Sequence, residues 1–199
     1  AEVDGEKQLR VKDKVKNDTT KPNEIYTNLV NIMMNDPGSF IDVHELMNGT
    51  TTALAYGLSL SRATVSLINK DKSRLKTYYA TGCQEHKQLA EFDTKIVKDT
   101  LFHKLSIKPA SIWVKAGTDS KILDLVPMNF KQCNDVENYF LMSIFVNKNP
   151  FAIVYCDSCE SRPLNENDYK YFKYLCRAVT HTLEHQASNK HPTTQKTAQ

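Results

Sequence analysis

The chain has 199 residues, enough for one domain whose core needs no disulfide or metal staple. Hydrophobic residues make up 40% and charged residues 25%, and a net charge of +3 gives no strong field for nucleic acid or an anionic membrane. No apolar run approaches the roughly 20 residues of a membrane span, and no charged-then-apolar leader opens the sequence.

Residues 1–20 mix both signs of charge with few large apolar side chains, and read as a charged linker or frayed helix. The body runs over 21–188, and 189–199 reads as a disordered tail. Within the body, Ile25, Leu29, Ile32 and Met33 draw a helical stripe that stops at Asn35-Asp36-Pro37-Gly38. Val43, Leu46, Met47, Thr50, Leu54 and Leu58 draw a second, in which Gly49 and Gly57 either weaken the helix or mark close packing. Strands follow over about 62–69 and 74–81. A short helical piece is expected at 96–107, a strand at 111–117, and irregular chain over 119–135 with a helix near Pro127–Gln132. A second hairpin, 138–146 and 150–157, turns at Asn147-Lys148-Asn149. The closing helix is the clearest: Asn165 is a natural N-cap with Asp168 three residues on, and Leu164 and Tyr169 are placed to staple the start. Tyr169, Phe172, Leu175, Cys176, Val179 and Leu183 form its apolar face.

Helices thus cluster at the two ends and neither hairpin encloses a crossover helix. The expected class is α+β, an antiparallel sheet with N- and C-terminal helices packed on one face and irregular segments covering the other. In the first strand Ala63, Val65 and Leu67 make the side suited to the helices, leaving Thr64, Ser66 and Ile68 toward the cover. A mostly apolar space with a few placed polar groups suits a ligand. The candidate binding residues are Thr64, Ser66, Ile68 and Tyr78 from the sheet, with Trp113 and Phe130 from the cover. The bland alternative is a second small core with satisfied hydroxyls.

Residues 58–82, LSLSRATVSLINKDKSRLKTYYATG, resemble the first hairpin of GAF domains: helix end, apolar strand, acidic turn and a second strand ending in Gly82. Residues 140–158 resemble the second GAF hairpin, followed by the capped closing helix. The likeness spans about 140 residues and lies in pattern more than in invariant residues; Ala152 stands where the family commonly has Gly. Residues 101–113, with LVPMNF and YFKYLC, are similar to the C-terminal regions of bacterial HDOD signalling proteins. The resemblance implies a cytoplasmic, non-enzymatic sensor that binds an unknown small molecule or relays contact from an upstream HDOD-like domain of the same chain. It also implies a homodimer through the terminal helices, for which Tyr171, Tyr174 and His181 offer a second seam on the closing helix. The competing class is a structural interaction module whose pocket is filled by its own side chains.

The family's known ligands do not carry over residue by residue. Of the cyclic-nucleotide positions, matching Asp157, Ser158, Leu164, Asp168 and Tyr169, only Asp168 agrees, and capping accounts for it. Bilin attachment uses a Cys often followed by His, a dipeptide this chain lacks.

Five cysteines without a leader favour reduced thiols. Cys156, Cys159, His181 and His185 supply zinc-finger ligand types, but about 21 residues separate the pairs where such fingers have about 12. A redox role for Cys156 and Cys159 lacks the helix N-terminus that lowers a thiol pKa, since Cys159 precedes the helix by several residues. His44 and His103 read as structural. No nucleophile elbow, phosphate loop or dinucleotide fingerprint occurs, so no enzyme and no metal are expected, and the identity of any cofactor is unknown.

Overall fold

The computed structural model of the protein describes residues 21–190, so the expected linker over 1–20 and most of the expected tail, from 191 on, lie outside the described residues. Helix α1 (Glu24–Asn35) begins at Asn23, whose side chain accepts the Ile25 amide and fills one of the orphan donors of the first turn. Its buried stripe is Tyr26, Val30 and Met33, whereas Ile25 and Ile32, expected inside, are 45% and 43% exposed. Both lines have helical spacing, so the packing partner decides between them. Helix α7 (Glu166–Lys190) receives Tyr26: its ring meets Tyr171 edge-on, centroids 5.8 Å apart, and its hydroxyl donates to the Tyr171 carbonyl at 2.9 Å.

Helix α2 (Val43–Thr52) is capped by Asp42, which accepts the Glu45 amide while the Glu45 carboxylate accepts that of Ile41. It runs into a wider turn over Ala53–Gly57, in which the Leu58 amide reaches back five residues to the Ala53 carbonyl. The carbonyls this leaves over are taken up by α1: the Asn23 amide donates to Gly57 and its side chain to Tyr56. Gly57 marks close packing, since a Cβ there would lie 2.7 Å from that of Tyr26.

The remaining elements are β1 (Arg62–Ile68), β2 (Arg74–Thr81), α3 (Lys87–Ala90), β3 (Asp93–Lys95), α4 (Leu101–Ile107), β4 (Ser111–Val114), α5 (Ser120–Leu123), α6 (Met128–Cys133), β5 (Tyr139–Val146) and β6 (Asn149–Asp157). The strands make one sheet in the order β3-β2-β1-β6-β5-β4, every neighbour antiparallel. Helices α1, α2 and α7 pack on one face and the segments between β2 and β5 cover the other, as expected. That cover carries more short helix than its composition suggested, with single turns α3 and α5 in stretches that read as irregular. Strand β4 stops three residues early because Lys115 and Thr118 close a turn around Gly117.

Strand alternation feeds two cores. Ala63, Val65, Phe140, Ile144, Ala152, Val154 and Cys156 enter the helix-side core, while Leu75, Leu141, Ile153 and Tyr155 enter the cover-side one. The second hairpin closes on Asn147 and Lys148, both with positive φ, the two-residue turn whose twist matches antiparallel strands. In α7 the expected cap is present: Asn165 Oδ1 accepts the amides of Asn167 and Asp168, and Asp168 returns a bond to the Asn165 amide at 3.0 Å. Phe172, Leu175, Cys176, Val179 and Leu183 form its buried face, with Tyr169 half-buried beside them.

Gly82 ends β2 at φ +78°, and a Cβ there would fall 1.9 Å from the Ser61 carbonyl oxygen of the neighbouring strand. Gly117 has φ +82° with nothing within 4 Å. Gly117→Ala should therefore cost only the left-handed penalty of about 1–2 kcal/mol, and Gly82→Ala clearly more, because backbone must move as well. Urea unfolding of the two variants reads the difference.

Candidate functional site

The expected binding face, between sheet and cover, is nearly full. Phe92, Phe102 and Phe130 form an aromatic triangle with centroids 5.2 to 5.9 Å apart, and Phe130 also meets the Tyr155 ring edge-on at 5.8 Å. What remains beneath them is a cavity of about 10 Å³, at the limit for one water molecule. Two of the polar residues of this face satisfy one another: Ser66 Oγ and Thr77 Oγ1 are 2.8 Å apart.

Of the six candidate residues, Thr64, Ser66 and Phe130 line this small cavity together. Ile68 lies against the same core at its half-buried edge. Tyr78 and Trp113 sit elsewhere. Between Val65 and Ser66 the register to β2 slips, so that Val65 faces Tyr79 and Ser66 faces Thr77; Tyr78 is the extra residue of a bulge and is 59% exposed. In β4 it is Ile112 and Val114 that face the cover, which puts Trp113 on the helix side against Phe140 and Tyr169, its indole N–H donating to Asn138 at 2.8 Å. The cysteine pair is divided in the same way, Cys156 fully buried in the helix-side core and Cys159 exposed.

The open space lies instead at the end of the sheet. A cleft of about 740 Å³ runs over the start of β1 and the end of β6, within the size range of small-molecule sites. Its floor is a buried ion pair: Arg62 and Asp157 are direct partners across β1 and β6, the Nε of Arg62 donates to Asp157 Oδ2 at 2.7 Å, and Nη2 lies 2.7 Å from the same oxygen. The Tyr155 hydroxyl also hydrogen-bonds Asp157 Oδ2 and lies 2.8 Å from Asn134 Oδ1. Arg62 Nη1 reaches Asp135, 2.7 Å away on the segment between α6 and β5, and His86 Nδ1 approaches the same carboxylate at 3.8 Å. A second cleft, of about 530 Å³, lies against that segment too.

Solved structures match this architecture at low sequence identity. The GAF domain of an Acinetobacter phosphoenolpyruvate-protein phosphotransferase superposes with a TM-score of 0.59 at 7% identity, covering 83% of this chain and 96% of that one. A methyl-accepting chemotaxis protein fragment, residues 122 to 287, gives 0.62 at 12%, covering 80% and 96%. The phycoerythrobilin-bound GAF domain of a cyanobacterial phytochrome gives 0.64 at 10%, covering 83% and 97%. The chain has a GAF-like fold. No family profile matches its sequence, and neither does any curated protein.

In this GAF-like domain the ion pair sets the electrostatics of the sheet end. Burial raises the pKa of Asp157, and the hydrogen bonds from Arg62 and Tyr155 pull only part of that back. Folded Asp157 thus holds its proton more readily than unfolded, and it costs stability as pH rises from about 4. For Asp135 burial is the largest single influence and raises the pKa, but Arg62, the backbone and His86 together outweigh it and the carboxyl stays below its usual range. Burial pushes the Cys83 and Cys133 thiols up to about 11, leaving them inert, while hydrogen bonds with Ser161 and Ser61 lower that of Cys159.

Sequence reasoning did not single out Arg62 or Tyr155, and weighed Asp157 only as a cyclic-nucleotide position. Only the pairing of β1 with β6, which lie 95 residues apart at this contact, brings them together. Opposite charges ending two adjacent central strands were the available signal.

Removing one member of a buried pair strands the other, so Arg62→Met should cost about 3–5 kcal/mol. Asp135 is 61% exposed at its side chain, so Asp135→Ala should cost no more than about 1 kcal/mol. Equilibrium denaturation checks both, and equal losses would place the weight of the network on the wrong partner.

Proposed function

We propose that the chain is a non-enzymatic regulatory module of a bacterial signal-transduction protein, acting in the cytoplasm and passing its state outward through α1 and α7. The observation that carries this reading is the direct coupling of the two terminal helices. Tyr26 bonds to Tyr171 and meets its ring edge-on in one place, and in another the Thr182 hydroxyl, 3.0 Å from the Ala178 carbonyl of its own helix, also lies 3.3 Å from the Met33 carbonyl. Helices held to one another at two levels move as a pair, and the pair leads to both flanks of the domain. The similar structures support a signalling role: they come from a phosphotransferase, a chemotaxis protein and a phytochrome. The neighbour proposed to receive or supply the signal is an upstream HDOD-like domain, on the resemblance of residues 101–113.

A homodimer belongs to this reading. Ile25 and Ile32 on α1 and Tyr174 on α7 are large apolar side chains left exposed on these helices, and a second copy of the chain would cover them. Light scattering after gel filtration should give the mass of two chains, and Ile25→Glu with Ile32→Glu should return it to one. A single-chain mass for the unaltered protein would remove the dimer.

The nearly full cavity under Phe92, Phe102 and Phe130 favours a second reading, an interaction module whose GAF-like pocket is filled from within. Native mass spectrometry separates the two. A retained small molecule supports the sensor, and a bare two-chain mass with no thermal shift across a metabolite panel supports the interaction module.

A further inference from the structure

The cleft at the sheet end is lined by residues whose buried polar atoms the protein does not fully pair. The side chain of Asp157 is 1% exposed and directs Oδ2 at Arg62 and Tyr155, yet Oδ1 is buried without a hydrogen-bond partner. The hydroxyl of Ser158, the next residue, is buried and equally unpartnered. Both residues line the cleft, and a carboxylate oxygen in that position has lone pairs to offer a donor.

Carboxylates outnumber cationic groups around them. Asp135, Glu137, Asp157 and Glu160 line the cleft against Arg62 and His86. Arg62 Nη1 is also buried without a hydrogen bond, but it lies 2.7 Å from the Asp135 carboxylate, and with Nη2 2.7 Å from Asp157 the charge of Arg62 is balanced within the protein. Glu137 and Glu160, on the segment entering β5 and the loop leaving β6, are exposed and belong to no ion pair among the described residues. Among the described residues no three His, Cys, Asp or Glu side chains gather closely enough to hold a metal ion. Negative charge spread along a cleft suits an extended cation; a metal needs it gathered at one point.

We propose that this cleft binds an extended organic cation with several N–H donors, one guanidinium or primary ammonium group reaching Asp157 Oδ1 and the Ser158 hydroxyl while the rest of its charge lies near Glu137 and Glu160. Binding stands on the cleft alone; only its consequence for α1 and α7 rests on the regulatory reading.

Isothermal titration of the full chain at low salt with agmatine, which carries a guanidinium and an ammonium, tests the proposal, with citrate as the anionic control. One-site saturable binding is expected, weakened about tenfold or more by Glu137→Gln with Glu160→Gln and lost in Asp157→Asn. Circular dichroism checks that each variant is folded. The rim double variant alters only exposed side chains and decides the question if Asp157→Asn fails to fold. No saturation up to about 10 mM agmatine, equal binding of citrate, or affinity unchanged in the rim variant overturns the site. Hydrogen exchange of α1 and α7 in the saturated chain separates the two ideas: binding without altered protection keeps the cleft and overturns the regulatory reading.

Discussion

Both faces of the central strands are buried, and most of the molecule follows from that. From Arg62 to Ser66 every side chain of β1 is inside, and in β6 the same holds from Ala152 to Asp157. Antiparallel sheets commonly leave one face to water, and here neither central strand does so. A strand in that position needs apolar or mutually satisfied side chains on two sides at once. Ala63 and Val65 meet the terminal helices, and Thr64 and Ser66 meet the cover. The hydroxyls of Ser66 and Thr77 on the cover side pair with each other, and once paired they cost the core little.

That filled face moves the open space elsewhere. With the aromatic triangle over the sheet, room for a molecule lies past the strand ends, where side chains no longer interdigitate and the chain turns away. The buried ion pair stands at this boundary. Across β1 and β6 it closes the end of the sheet as a cross-strand pair, and its cost in desolvation is offset by the Arg62 guanidinium and the Tyr155 hydroxyl converging on Asp157 Oδ2. Its Oδ1 is left unpaired in a residue that lines the cleft.

The sequence carried the local rules well and the long-range ones poorly. Hairpins, the turn at Asn147-Lys148 and the Asn165–Asp168 cap are set by residues a few positions apart, and each was legible. The division of β1 between two faces was legible too, because alternation is strict until a bulge breaks it. Tyr78 was misplaced by such a bulge, and Trp113 by the parity of a four-residue strand with too few positions to fix its face. On α1 two stripes of equal spacing competed, and α7 chose Tyr26 over Ile25. The Arg62–Asp157 floor required knowing that the first and last central strands are neighbours.

The cleft and the terminal helices are joined by a short path. Ser158, Cys159 and Glu160 line the cleft, and within two residues the loop reaches Arg162. The Nη2 of Arg162 donates to Asp168 in the first turn of α7 and to the Leu58 carbonyl just after the turn that ends α2, each at 2.8 Å. One side chain thus ties the cleft's own loop to the start of α7 and to the segment that packs against α1. A ligand moves such a system only as far as it binds two arrangements unequally. The loop from Ser158 to Arg162 is where that inequality would arise, since it borders the cleft on one side and the helix pair on the other.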